Sequence, residues 1–177
     1  MAMPYMSILD LDRSLRPLLG ELCWEADWGE FTSLSLQFGT PRIELLREPM
    51  SSTSRRKDVR RNAARRLVAV RGRWMLWVQA AHWRVVRSRE CLATGSTSYR
   101  RKQMALRDLK GQRLTEIQLV PQTGATRFEF DLDTALEVRR MDPRSKEELW
   151  RIYGRDGYVR SIRGDGAFGR EESGSKE

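Results

Sequence analysis

Arg55, Arg56, Lys57, Arg60, Arg61, Arg65 and Arg66 lie within twelve residues and are opposed there by Asp58 alone. Arg100, Arg101 and Lys102 form a second cluster. Phosphate neutralisation needs such local density, because each phosphate that is neutralised releases condensed counterions and adds to affinity. Trp74, Trp77 and Trp83 interleave with Arg71, Arg73, Arg84 and Arg87. That pattern can supply stacking platforms for unpaired bases, although core packing is the plainer reading of the same tryptophans. For the arginine run, the alternatives to a contact surface are a solvated loop or an internal partner for the acidic N-terminal segment.

Other chemistry is poorly provided for. His82 is the only histidine and sits between Ala81 and Trp83; a general base needs a positioned partner and substrate access, and nothing nearby supplies either. Cys23 and Cys91 are far apart, outside any zinc-binding spacing, and read as buried reduced thiols. No GxSxG, GxxxxGK[ST] or GxGxxG motif occurs. Glu129, Asp131 and Asp133 form an ExDxD run at a strand end, where alternate carboxylates could face a hard cation, but a solvated face and a turn explain the same letters. The expectation is a non-enzymatic protein with no catalytic residue, no metal and no cofactor.

The wider charge distribution agrees with a binding role. Residues 42–113 hold twenty Lys or Arg against five Asp or Glu, a balance of +15, whereas residues 1–41 carry −4 and residues 114–177 carry −2. Segregated charge creates a field that attracts an anionic partner, and it names a sign rather than a molecule. Arginine outnumbers lysine by 28 to 5. Bidentate recognition of phosphate or carboxylate would favour that ratio, and a GC-rich coding bias would give it as well. Six tryptophans and an ordinary apolar fraction argue against disorder. The start MAMPYMSILDLDRS lacks a basic segment followed by an apolar run, and no stretch is apolar enough to span a bilayer. A cytoplasmic protein without a membrane partner is expected.

The elements that must position these groups can be read from periodicity. Ser7 to Leu22 spaces Ile8, Leu11, Leu15, Leu18 and Leu22 as an amphipathic helix, with Ser7 and Asp10 as a capping box and Pro17 kinking or dividing it. Its acidic neighbours Glu21, Glu25, Asp27 and Glu30 are candidates to face the basic middle. Alternation over Phe31, Leu34, Leu36 and Phe38, the turn Gly39-Thr40-Pro41, and alternation over Ile43 and Leu45 read as a hairpin. Residues 49–64 read as a long loop or a short helix capped near Ser54. Leu67 to Val70, the turn Arg71-Gly72-Arg73, and Trp74 to Val86 suggest a second hairpin. The last segment also fits a helical face, and its β-branched and aromatic content favours a doubly buried strand. Ser96 to Lys110 reads as a helix using Met104, Leu106 and Leu109 and ended by Gly111.

Five further strands follow: Leu114 to Leu119, Thr126 to Leu132, Leu136 to Met141, Leu149 to Tyr153 and Tyr158 to Ile162, the last pair joined by the tight turn Asp156-Gly157. The stretch 31–86 echoes 114–163, as two similar β units would. The expected fold is α+β and mainly antiparallel β, a sandwich or half-open barrel of eight to nine short strands with an N-terminal and an internal helix. Residues 1–166 read as one compact domain and 167–177 as a frayed tail.

The closing run ELWRIYGRDGYVRSIRGDG resembles the terminal hairpins of many small uncharacterised bacterial β-rich proteins, some of them immunity proteins that block partner toxins. The resemblance covers only the C-terminal part of the chain and implies a stoichiometric binder rather than a catalyst. It transfers no functional residue, and the positive charge suits an acidic target better than a basic nuclease cleft. The leading expectation is therefore a cytosolic binding module whose basic middle contacts an anionic macromolecule, nucleic acid or acidic protein. The alternative is an immunity-type or structural interaction protein in which the arginines only solubilise.

Overall fold

The computed structural model describes residues 5–29 and 33–174, so Phe31 and Glu30 lie outside the described residues. Short strands account for most of it: β1 (Met6–Ser7), β2 (Cys23–Trp28), β3 (Leu34–Phe38), β4 (Arg42–Arg47), β5 (Leu67–Arg71), β6 (Trp74–Val78), β7 (Ala81–Arg87), β8 (Glu90–Thr94), β9 (Leu114–Val120), β10 (Ala125–Phe130), β11 (Thr134–Arg140), β12 (Glu148–Gly154), β13 (Tyr158–Arg163) and β14 (Phe168–Glu172). The helices are α1 (Lys57–Ala63) and α2 (Tyr99–Leu109). The fold is a β-rich α+β fold with antiparallel pairing throughout, as the alternating sequence implies.

One six-stranded sheet runs β1-β9-β10-β11-β7-β8 and another runs β14-β13-β12-β6-β3-β2, while β4 and β5 pair only with each other. Each six-stranded sheet mixes strands from 31–86 and 114–163. Leu34, Leu36, Phe38, Trp74, Leu76 and Val78 of the second sheet join Trp83, Phe128, Phe130, Leu136 and Val138 of the first in one buried cluster. Phe38 stacks on Phe130 with ring centroids 6.4 Å apart, and Trp150 Nε1 donates to Thr126 Oγ1 at 2.7 Å. The latter bond satisfies an indole donor that burial would otherwise leave orphaned.

Residues 74–86 are strand, as their β-branched and aromatic content favours, but they form two strands in different sheets. Gln79 and Ala80 make the corner, with Ala80 at φ +48°. β6 buries alternate residues only, so it is covered on one face rather than two. β12 follows β11 across the same corner, pairing Trp150 with Val78 after Arg140 has paired with Ala81.

Several local expectations are corrected. The N-terminal segment is not an α-helix but two 3-10 turns, Ile8–Asp10 and Arg13–Leu18. Side chains explain the break: Ser7 accepts from the Leu9 amide and Asp12 from the Ser14 amide, which starts two separate turns, and Pro17 has no amide hydrogen to continue a ladder. The strand β2, unforeseen, takes one edge of β3 and β6 takes the other, so the expected β3–β4 hairpin does not form. For the same reason β5 does not pair with β6. Residues 168–172 are not frayed, because β14 pairs with β13 along its length. In α2, Ala105, Leu106 and Leu109 are buried while Met104 is exposed. Cys91 is exposed, and only Cys23 is buried, which pushes its thiol up to about 12 through desolvation.

Candidate nucleic-acid interface

Residues 42–71 form an arm outside both large sheets. β4 and β5 are its two strands, and α1 lies in the connection between them. Ten of its residues are Lys or Arg and three are Asp or Glu. Two glycines shape its root: Gly39 adopts φ +75°, and a Cβ on Gly72 would lie 2.5 Å from the Phe38 carbonyl oxygen. The Gly72 amide donates to Gln37 Oε1 at 2.9 Å, and Arg155 Nη2 donates to the Thr40 carbonyl at 3.1 Å. Both bonds tie the root to the body.

The seven clustered cations of the arm are all exposed, and α1 buries no residue. Arg56 pairs with Asp58 at 2.6 Å. Arg60 donates to the carbonyls of Ser54 and Arg55, closing the turn before α1, and Ser54 Oγ accepts from the Arg56 amide just ahead of the helix. Arg55, Lys57, Arg61, Arg65 and Arg66 make no ion pair among the described residues. Among the described residues, no carboxylate of the acidic N-terminal segment pairs with them. Glu21 meets Arg73 at 3.5 Å and Glu25 meets Lys110 instead.

Arg100, Arg101 and Lys102 occupy the first turns of α2. Tyr99 packs edge-on to Trp28 at 4.9 Å, and Trp28 lies opposite Leu34 in the β2–β3 pair, whereas the arm leaves from Phe38 at the other end of β3. Arg100 also lines a groove with Glu25 and Asp27. These three cations are thus set apart from the arm root, and Arg100 faces a mixed-charge wall.

Where the arm meets the outer face of the second sheet, a cleft of about 640 Å³ opens. Its floor is Met75, Trp77 and Tyr153; Arg42, Glu44 and Arg71 descend from the arm, and Arg73 and Arg155 stand at the root. The register makes the floor: Tyr153 lies opposite Met75, and Trp77 opposite Arg151, so the two aromatic side chains are diagonal neighbours on the solvent face. Arg71 is held by Glu44 at 2.9 Å. Of the three interleaved tryptophans, Trp77 alone lines this cleft, while Trp74 and Trp83 are buried. Nothing local in the sequence reveals that Arg42, Trp77 and Tyr153 meet, since cross-strand register brings them together.

The other candidate chemistry is dispersed. Glu129 pairs with Arg127 at 2.8 Å, Asp131 accepts from the Arg113 amide at 2.9 Å, and Asp133 sits in a turn at φ +58° accepting from Ser88 Oγ. The ExDxD carboxylates therefore do not converge, and among the described residues no three His, Cys, Asp or Glu form a group able to hold a metal. His82 points to solvent beside its cross-strand neighbour Arg139. No helix among the described residues is long and apolar enough to cross a membrane.

A buried arginine escaped sequence reading. Arg160 is fully buried, with Nε 3.0 Å from Asp12 Oδ2 and 3.1 Å from Ser14 Oγ, Nη1 3.0 Å from Asp156 Oδ1, and its guanidinium 5.6 Å from the Trp74 ring centroid. The hydrogen bond from Arg160 holds the Asp156 carboxyl below its usual range. Burial alone would raise Asp12, but bonds from Ser14 and Arg160 outweigh it and leave that carboxyl lowered too. The group clamps the N-terminal turns onto β13 and serves structure. No protein-family model matches the chain, and comparison with curated proteins and with solved structures returns no match.

Proposed function

We propose that the protein is a non-enzymatic, cytosolic nucleic-acid-binding module that uses the basic arm to neutralise phosphates and the cleft beneath it to stack unpaired bases. One observation carries this reading: an arginine-rich arm and an aromatic floor share one cleft. An acidic protein would satisfy the arm's charge, but it gives no use to Trp77 and Tyr153 lying between Arg42, Arg71, Arg73 and Arg155. Single strands fit such a floor because every base has a π face. Phosphate contacts from the arm then supply affinity without reading sequence.

Fluorescence anisotropy with labelled single-stranded and duplex oligonucleotides at low salt tests this. Tighter binding of the single strand is expected, with Trp77→Ala weakening it by about tenfold or more while the variant keeps the circular dichroism spectrum of the folded chain. Absence of binding at low salt, or full affinity in the Trp77 variant, overturns the reading. A stoichiometric protein binder of the immunity type is the second reading, favoured by the apolar side chains on the outside of the arm.

A further inference from the structure

The arm is built inside out. Cross-strand pairing sets Ile43 opposite Val70 and Leu45 opposite Val68, so these four side chains share one face. The alternate face carries Arg42, Arg71, Glu44 and Ala69, and it is this polar face that turns toward the cleft and the body. The apolar face turns to water: Ile43 is 76% exposed, Val68 55%, Val70 54% and Leu45 44%. A two-stranded ribbon is at best marginally stable by itself in water, and an uncovered apolar face does nothing to improve that.

We propose that this face is a homodimer interface, on which the ribbon of a second copy of the chain packs face to face about a two-fold axis. The face is self-complementary, since its two rows each pair a Val with a longer Leu or Ile, and a two-fold contact requires one patch to match itself. The area suits a reversible dimer. The four side chains expose on the order of 400 Å² per chain, and with Leu46 beside the β4 bulge, 45% exposed, two copies would bury about 1,000 Å², the lower end for specific association. Charge does not forbid it. An antiparallel arrangement sets each cationic α1 at the opposite end of the paired ribbons, and the Arg42, Glu44 and Arg71 face of each copy stays turned to its own cleft, away from the seam.

Covering the face would convert a lone ribbon into a two-layer, four-stranded unit with a dry seam. The inference is independent of nucleic-acid binding and is tested without it. Sedimentation velocity of the full chain in about 300 mM salt, where surface repulsion is screened, should show the average mass rising from one chain toward two as concentration goes from about 1 to 100 µM. Val68→Glu with Val70→Glu should abolish that rise. Because neither residue belongs to the buried core, the variant should keep the wild-type circular dichroism spectrum, and a Val68→Ile control should keep the dimer. A wild-type chain that stays monomeric over the range overturns the proposal, as does a double-Glu variant that dimerises unchanged.

Discussion

Five cations of the 55–66 cluster, Arg55, Lys57, Arg61, Arg65 and Arg66, make neither an ion pair nor a side-chain hydrogen bond among the described residues, and this number sets the salt dependence expected of nucleic-acid binding. If each neutralises one phosphate of a single strand, the logarithm of affinity falls with the logarithm of salt at a slope of about −3.5, or about −0.7 per phosphate. Raising salt from about 50 to 200 mM then weakens binding about 100-fold. Arg61→Ala with Arg65→Ala leaves three such contacts, for which the slope is about −2 and the same change costs about 20-fold. These two are preferred to Arg60, whose guanidinium closes the turn before α1 and whose loss would disturb the arm itself. The measurement is an anisotropy titration with one oligonucleotide at four or more salt concentrations. Arg100→Ala with Arg101→Ala serves as the comparison and should leave the slope near the wild-type value, because α2 lies away from the arm root. A wild-type slope near zero, or an unchanged slope in the Arg61/Arg65 variant, refutes the assignment of the arm to phosphate.

Three other outcomes follow from the buried groups. Arg160→Met strands the Asp12 carboxylate without its guanidinium and should cost about 3–5 kcal/mol in urea unfolding; adding Asp12→Asn should recover part of this, and a loss under about 1 kcal/mol would contradict the clamp. Asp12 and Asp156 both have folded values below their ordinary 3.8, so their contribution is complete above the unfolded range and disappears as pH falls through the lowered values. Wild-type stability should therefore drop steeply below about pH 4 and drop less steeply in the Arg160→Met background, which acid-titrated unfolding curves will report. Thiol titration should find one fast-reacting group, Cys91, in the native chain and a second, Cys23, only after denaturation; two fast thiols would contradict the burial of Cys23.

Period-two patterning made most strands legible. β9 to β13 lie within one or two residues of their expected bounds, because each alternates cleanly and is bounded by turn residues such as Asp156-Gly157. Pairing was less legible than existence. Sequential strands were expected to form hairpins, yet β3 and β6 pair with each other across the whole arm, which sits between Gly39 and Gly72 as an insertion. β2 was hidden because Cys23-Trp24-Glu25-Ala26-Asp27-Trp28 places charged residues within its alternation, and they face α2 and solvent rather than breaking the strand. The N-terminal helix failed because two local side-chain caps and Pro17 outweighed a correct apolar spacing. Among the site residues, the exposure of the 55–66 cluster was readable from its composition, while the cleft depended on register that no local pattern encodes.

The distribution of burial separates the arm from the body in a way that total charge does not. In the body, several arginines are matched to carboxylates: Arg84 and Arg127 share Glu137, Arg160 holds Asp12 and Asp156, and Arg163 meets Asp165. Burial would raise Glu137, but the two guanidinium groups outweigh it and keep that carboxyl lowered. Such pairs give the body little field at distance. The arm differs from this body in burial, since its clustered cations are exposed and its apolar residues lie outside the core. A segment that contributes no residue to the buried cluster, yet keeps a defined register and two tethered root glycines, is not explained by the stability of the scaffold. Under the two proposals, contacts outside the chain would account for both of its faces: phosphate and bases on the side that carries Arg42 and Arg71, and another ribbon on the side that carries Ile43 and Val70.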